Sequence, residues 1–237
     1  MEGPIVYGNR GGHGAHAKYM KVPVHTLVPL SEELSFQTGA AIACGTGTAY
    51  GALKRLGLEG DETIAVFGQG PVGLSATQLA AAMGARVIAV DPESDRREMA
   101  LSRGAEIALD PSDGKVVQAI KDLTHGEGAD KSLDATNSVD ARRNAVQSTR
   151  TFGSSVMVGV GGEITLQVLP DLIRRQLTLI GHQTFSKVGQ ADCARFIASR
   201  KIDIDSIFTH KWKLHQAEEA YDLFDQQKTG KGFFEPA

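Results

Sequence analysis

The strongest constraint on the fold is an alternation of short apolar runs with helical stretches over residues 62–184. The apolar runs are continuously hydrophobic, which is expected when helices cover both faces of a parallel sheet. We therefore predict an α/β fold with a doubly wound parallel sheet and right-handed crossovers. The predicted strands cover residues 63–67, 86–90, 107–109, 131–135, 155–160 and 177–180, and the predicted helices 72–83, 94–102, 115–123, 139–149 and 169–175.

The turn after the first predicted strand carries the pattern Gly68-x-Gly70-x-x-Gly73 and opens a helix. In this setting the first glycine permits the tight turn, the second lets the backbone approach a pyrophosphate, and the third allows close helix–strand packing. Pro71 suits the first helical position, where no amide hydrogen is needed. Together with Val72 it begins a helix whose free N–H groups favour phosphate. The turn predicts a Rossmann-type dinucleotide site.

Asp91 closes the second predicted strand, where a carboxylate can accept hydrogen bonds from the adenosine ribose. It would also repel the 2′-phosphate of NADP, and a hydrogen bond to a charged group is worth roughly 1.5–3 kcal/mol, about ten- to a hundredfold in affinity. Arg96 could instead pair with that phosphate or stack on adenine. NAD is favoured. Two alternatives remain open, an acidic turn residue without a ligand and the glycine-rich turn of a methyltransferase.

The ends of the chain do not continue the alternation. We expect them to be remnants of a second domain at residues 1–34 and 206–237, flanking a nucleotide-binding domain with its leading helix at 35–205. The predicted elements are one or two strands over 17–23 and 25–30, one helix over 35–56, a helical stretch over 190–199, an amphipathic helix over 214–224 and a final strand over 230–234.

The net charge and the cysteine content limit which binding partners and which cellular compartment we expect. The formal net charge of -3 offers no basic field, so nucleic acid is not expected as a partner. No apolar run is long enough to cross a bilayer or to form the core of a signal peptide. The two cysteines, Cys44 and Cys193, cannot build a disulfide framework and suit a reducing cytoplasm.

Two motifs together resemble the zinc-dependent medium-chain alcohol dehydrogenases. They are the run Gly39-Ala-Ala-Ile-Ala-Cys-Gly-Thr-Gly-Thr and the later run Val66-Phe-Gly-Gln-Gly-Pro-Val-Gly. The resemblance extends over almost the whole chain, to Gly230-Lys-Gly. It implies a Rossmann domain beside a GroES-like catalytic domain. It also implies hydride transfer between a small alcohol or carbonyl compound and NAD, with zinc as Lewis acid.

The resemblance assigns roles to individual residues. Cys44 matches one ligand of the catalytic zinc, and Thr48 matches a catalytic position beside the nicotinamide. Lys231 matches a basic residue near the pyrophosphate. Further positions matching the lining of the cofactor cleft are Ala135, Thr136, Val158, Gly159 and His182.

The family's other zinc motifs have no counterpart in this sequence. These are the first zinc-binding cysteine, the Gly-His-Glu run and the four-cysteine structural lobe. A catalytic zinc needs three protein ligands, so we expect that Cys44 alone binds none. We therefore expect the chain to be an incomplete portion of a dehydrogenase or, alternatively, a non-catalytic NAD(H)-binding module. A replacement site from His13, His16 and His25 is less favoured. Apolar residues of the helix over 35–56 should be exposed, which predicts a homo-oligomer.

Overall fold

The computed structural model describes residues 14–226 and 229–235. Its main feature is a six-stranded parallel sheet in the order β3-β2-β1-β4-β5-β6. This is the strand order of a Rossmann fold. From β1 the chain first adds strands on one side of the sheet and then, from β4 onwards, on the other side. The predicted fold class is thus confirmed. The strands are β1 (Thr63–Phe67), β2 (Arg86–Val90), β3 (Ile107–Leu109), β4 (Ala129–Asp134), β5 (Thr149–Met157) and β6 (Thr178–Gly181).

Helices pack on both faces of the sheet, as the continuously apolar strands predicted. Ile64 and Val66 of β1 contact one buried cluster, while Ala65 and Phe67 face the other. Both sets are buried because successive side chains of a strand point to opposite faces. The helices are α1 (Phe36–Ile42), α2 (Gly45–Leu56), α3 (Pro71–Met83), α4 (Ser94–Ser102), α5 (Val116–Asp122), α6 (Val139–Ser148), α7 (Lys187–Arg200) and α8 (Ala217–Asp225).

Strand β5 differs from the prediction, because it begins at Thr149 and ends at Met157 rather than covering 155–160. Its first half is polar, so the apolar pattern did not reveal it. The hydroxyl of Thr149 donates to Ser132 at 2.8 Å, and that of Ser132 donates to Ser155 at 2.7 Å, all three being buried. Hydrogen-bonded hydroxyls can therefore occupy this part of the sheet interior. The predicted helix over 169–175 is a π-helical turn, Val168–Ile173.

The predicted strands over residues 17–23 and 25–30 and the predicted single helix over 35–56 were wrong. Residues 17–30 form no strand, and their one regular element is a 3-10 turn, Val24–Thr26. Pro23 and Pro29 lack the amide hydrogen that a strand ladder requires. The single helix over 35–56 is two helices, because α1 ends at Ile42 and α2 begins at Gly45.

The C-terminal elements form a small sheet beside the main one. The predicted final strand is confirmed as β8 (Lys231–Phe234), which pairs in parallel with an unpredicted strand, β7 (Phe208–Trp212). The predicted tail helix begins as a 3-10 turn, Leu214–Gln216, and continues as α8. Within the described ranges, every helix is too short or too polar to traverse a bilayer.

Candidate dinucleotide-binding site

The glycine-rich turn lies at the point where the strand order reverses. Gly68 adopts a φ of +84°, which favours glycine. A Cβ on Gly73 would collide with the carbonyl oxygen of Gly68, so close packing of helix on strand also requires a glycine there. Gly70 is different, because a Cβ there would meet nothing within 4 Å and its φ is -69°. The fold itself therefore does not require a glycine at position 70.

Helix α3 starts directly after this turn, with Pro71 at its first position as predicted. The first N–H groups of a helix have no partner within the helix, and they carry the positive end of its dipole. The preceding loop is anchored by Gln69, a residue that sequence reasoning missed. Its buried side chain donates to Val66 O at 2.9 Å and accepts from the Thr77 hydroxyl at 2.9 Å.

Asp91 follows β2 and is 2% exposed. One carboxylate oxygen accepts from the amide of Gln69 at 2.6 Å, and the other accepts from the amide of Glu93 at 2.9 Å. The carboxylate thus holds the glycine-rich turn against the end of β2. Each carboxylate oxygen has a second lone pair, so a ribose contact is compatible with these bonds. Arg96 lies half-buried nearby on α4.

The other predicted cleft residues follow the next three strands on the same edge. The amide of Ala135 donates to Phe67 O at 2.9 Å, which places the end of β4 beside the end of β1. Val158 donates to Asp134 O at 2.9 Å, and His182 to Met157 O at 3.0 Å. The structure therefore brings the residues after β1, β2, β4, β5 and β6 to one edge of the sheet. Ligands of open α/β sheets bind at this edge.

A buried ion pair at the end of β4 was also missed by the sequence reasoning. Asp134 is fully buried and lies 3.3 Å from Nε of Arg142 on α6. Its carboxylate also accepts from the Thr136 hydroxyl at 2.5 Å. Burial raises the pKa of Asp134, although Thr136 and Arg142 act in the opposite direction. The available sequence signal was an acidic residue at the end of a predicted strand, because Asp134 ends β4 much as Asp91 follows β2.

Cys44 and Thr48 lie at the start of α2. Cys44 is exposed, and the Thr48 hydroxyl donates to its carbonyl oxygen at 2.9 Å. Nζ of Lys231, on β8, lies 5.6 Å from the centre of the Phe208 ring, and burial lowers the pKa of this lysine. The ring of His182 packs against α2 at Gly51, because a Cβ added to that glycine would lie 2.8 Å from Nε2 of the histidine. Burial and then Arg55 lower the pKa of His182.

A family model described as zinc-binding dehydrogenase matches residues 71–199, more than half of the chain. The chain belongs to the zinc-binding dehydrogenase family. The match confirms the resemblance drawn from the two motifs.

Individual relatives agree with this assignment. The chain is 36% identical over 233 residues to the zinc-type alcohol dehydrogenase-like protein YphC of Escherichia coli, covering 97% of this chain and 65% of the relative. It is 28% identical to an alcohol dehydrogenase of Geobacillus stearothermophilus, covering 92% and 62%. The solved alcohol dehydrogenase of Thermus sp. ATN1 superimposes with a TM-score of 0.87 at 27% identity, covering 93% and 65%. The chain thus spans less than two thirds of their lengths.

The described residues do not by themselves fit the zinc of this dehydrogenase family. Across residues 14–226 and 229–235, no three His, Cys, Asp or Glu side chains are grouped as a metal ion requires. His16 hydrogen-bonds the Tyr221 hydroxyl at 2.6 Å and packs on Phe234. His25 lies in the 3-10 turn, and His13 lies outside the described residues. Cys44 is therefore the single predicted ligand that the described chain offers.

Proposed function

We propose that this dehydrogenase chain binds NAD(H) at the carboxyl edge of its six-stranded sheet. The observation that carries the proposal is Gly70. The turn needs Gly68 and Gly73 for its own geometry, whereas the space beside Gly70 is open. That space lies at the start of α3 and at the reversal of strand order, where a pyrophosphate is favoured by both dipole and free amides.

The neighbouring residues supply the rest of the proposed site. Asp91 would accept from the adenosine ribose, which favours NAD over NADP. Lys231 would lie near the pyrophosphate. The nicotinamide half would lie over the ends of β4 to β6, close to Thr136 and Val158, with Thr48 facing it from α2. When bound, the nicotinamide supplies a hydride acceptor or donor for an alcohol or carbonyl substrate.

For turnover, we propose that the described residues act as an incomplete dehydrogenase portion. A zinc that polarises the substrate oxygen needs three protein ligands, and Cys44 is one. The strongest support for this proposal is that Cys44 is exposed and that the Thr48 hydroxyl bonds its carbonyl oxygen, while the described residues offer no group of three metal-ligating side chains. Residues 14–34, 206–226 and 229–235 would pack with the domain that carries the substrate pocket.

We also propose that the chain is cytoplasmic and self-associates. The apolar patch predicted over residues 35–56 is wrong, because Ile42, Tyr50, Leu53 and Leu56 are buried and only Phe36, at the start of α1, is strongly exposed (75%) among the large apolar side chains there. β6 is an edge strand, and Leu179 on it is 41% exposed. The proposal of a homo-oligomer therefore rests on the exposed edge strand β6, which can pair with the same strand of a second copy. Light scattering at micromolar concentration tests this proposal, and a monomer would contradict it.

Titration with NADH, followed through the nicotinamide fluorescence, tests the nucleotide proposal. We expect saturable binding of NADH and about ten- to a hundredfold weaker binding of NADPH. S-adenosylmethionine is the control for a methyltransferase and should not compete. Absence of NADH binding would refute the proposal. Metal analysis with an alcohol-oxidation assay tests the second proposal, which one zinc per chain together with turnover would overturn.

A further inference from the structure

Arg142 is a buried cation at the carboxyl edge of the six-stranded sheet, where we propose that the cofactor binds. Neither the sequence motifs nor the family assignment gives this residue a role. It lies in the first turn of α6, and its side chain is 6% exposed. Its guanidinium Nε donates to Asp134, at 3.3 Å. Nη2 donates to Thr136 O at 3.3 Å and to Gly159 O at 3.0 Å. One planar fork therefore joins a carboxylate and two carbonyl groups.

These two carbonyls belong to different loops that cross at this point. Thr136 follows β4, and Gly159 follows β5. A Cβ on Gly159 would collide with Thr136 O, so the two backbones are in direct contact. The β5 loop then passes over the guanidinium, because a Cβ on Gly162 would lie 2.8 Å from Nη1. Gly162 has a φ of +66°, which permits that path.

The two loops are the ones that border the cofactor edge beside the glycine-rich turn. A Cβ on Gly68 would lie 2.7 Å from the methyl carbon of Thr136, so the β4 loop contacts that turn directly. The position of the β4 and β5 loops relative to Gly68 therefore depends on what holds their crossing together. Among the described side chains, Arg142 is the one that bonds both of the crossing carbonyls.

We propose that Arg142 is a positioning residue that fixes the β4 and β5 loops so that the nicotinamide half of NAD(H) can bind. The inference rests on the proposed function. A lysine could neutralise Asp134, but its three N–H groups leave from one nitrogen, whereas Arg142 reaches the carboxylate from Nε and both carbonyls from Nη2. Asp91 and β2, which form the adenosine half of the edge, do not contact Arg142 through any hydrogen bond of the described residues.

The test compares R142K with R143K, a matched control on the same helix. Arg143 is exposed and pairs only with Asp140, at 2.7 Å. For R142K we expect about tenfold weaker NADH binding, the effect of one or two lost hydrogen bonds, with AMP binding within about twofold of wild type. R143K should match wild type for both ligands. Equal loss of NADH and AMP, or no loss, would overturn the proposal.

A second variant covers the case in which R142K does not fold. The double variant D134N/R142M removes both charges, so it leaves no unpaired buried ion. It should fold, bind AMP and remain weak for NADH. Failure of both variants to fold would overturn the positioning role in favour of a structural one.

Hydrogen exchange without ligand separates this inference from the proposed function. In R142K we expect faster exchange over residues 136–138 and 158–163 and unchanged exchange over 68–73. If wild type does not bind NADH, the proposed function fails, while the exchange result still decides whether Arg142 holds the loops. Unchanged exchange in both loops would contradict the role of Arg142.

Discussion

Replacement of Gly70 by alanine separates the demands of the fold from those of the ligand. At this residue φ is -69° and ψ is -174°, a conformation open to any residue, and an added Cβ meets no atom within 4 Å. Alanine is a poorer N-cap than glycine, yet it restricts the unfolded chain, and each effect is worth up to about 1 kcal/mol with opposite sign. We therefore expect the free energy of unfolding of G70A to stay within about 1 kcal/mol of wild type.

Binding should respond differently, because the added methyl group occupies the space that a pyrophosphate needs to approach the backbone. Loss of even two amide–phosphate hydrogen bonds predicts about tenfold or greater weakening of NADH binding. G73A is the opposite case. Its Cβ would collide with Gly68 O, so it should lower the free energy of unfolding by about 1–3 kcal/mol.

The assay combines NADH fluorescence titration with urea unfolding for each variant. G189A is the control, since Gly189 lies at the start of α7 and a Cβ there meets only ordinary contacts at 3.5 and 3.7 Å. It should bind NADH like wild type and unfold no more easily. If G70A retained the NADH affinity of wild type, the assignment of the pyrophosphate to this turn would be refuted.

Other perturbations address Asp91, Cys193 and Cys44. D91N should lower the free energy of unfolding by about 1–3 kcal/mol, because the two backbone N–H groups donate to different carboxylate oxygens and an amide has one oxygen. The same variant should narrow the preference for NADH over NADPH. An unchanged ratio of NADH affinity to NADPH affinity would leave Asp91 as a turn residue only. Burial raises the pKa of Cys193 from 9.0 to about 12, so the unfolded chain loses this proton first and stability should fall between pH 9 and 12. C193A should remove that slope in pH-dependent urea unfolding. A thiol reagent at pH 8 should modify Cys44 and spare Cys193 in the folded chain, and rapid reaction of both would contradict the burial of Cys193.

The central sheet was predictable because local pattern and tertiary environment agree there. The strands at Thr63–Phe67, Arg86–Val90 and Ile107–Leu109 are apolar, and helices cover both faces. The glycine pattern likewise encodes its own geometry, through the positive φ of Gly68 and the close approach of Gly73. Local sequence was sufficient in these places, because the local pattern and the surrounding packing favour the same conformation.

Other features depend on contacts that a linear pattern does not carry. Strand β5 is stabilised by a buried hydroxyl from β4, and residues 14–34 pair with no strand of the described residues. Arg142 reaches Gly159 only because two crossovers bring α6 under the β5 loop. The sequence identified Asp91 as a cofactor-binding candidate. Its spacing did not reveal that the carboxylate also accepts from the Gln69 amide and so holds the glycine-rich turn.

The most direct test of NAD(H) binding is a crystal structure of the chain with NADH. We expect the pyrophosphate against the backbone of residues 70–73, the adenosine ribose beside Asp91 and the nicotinamide over the ends of β4 to β6. A cofactor bound elsewhere, or crystals without bound NADH at millimolar concentration, would contradict the site proposed for this dehydrogenase chain.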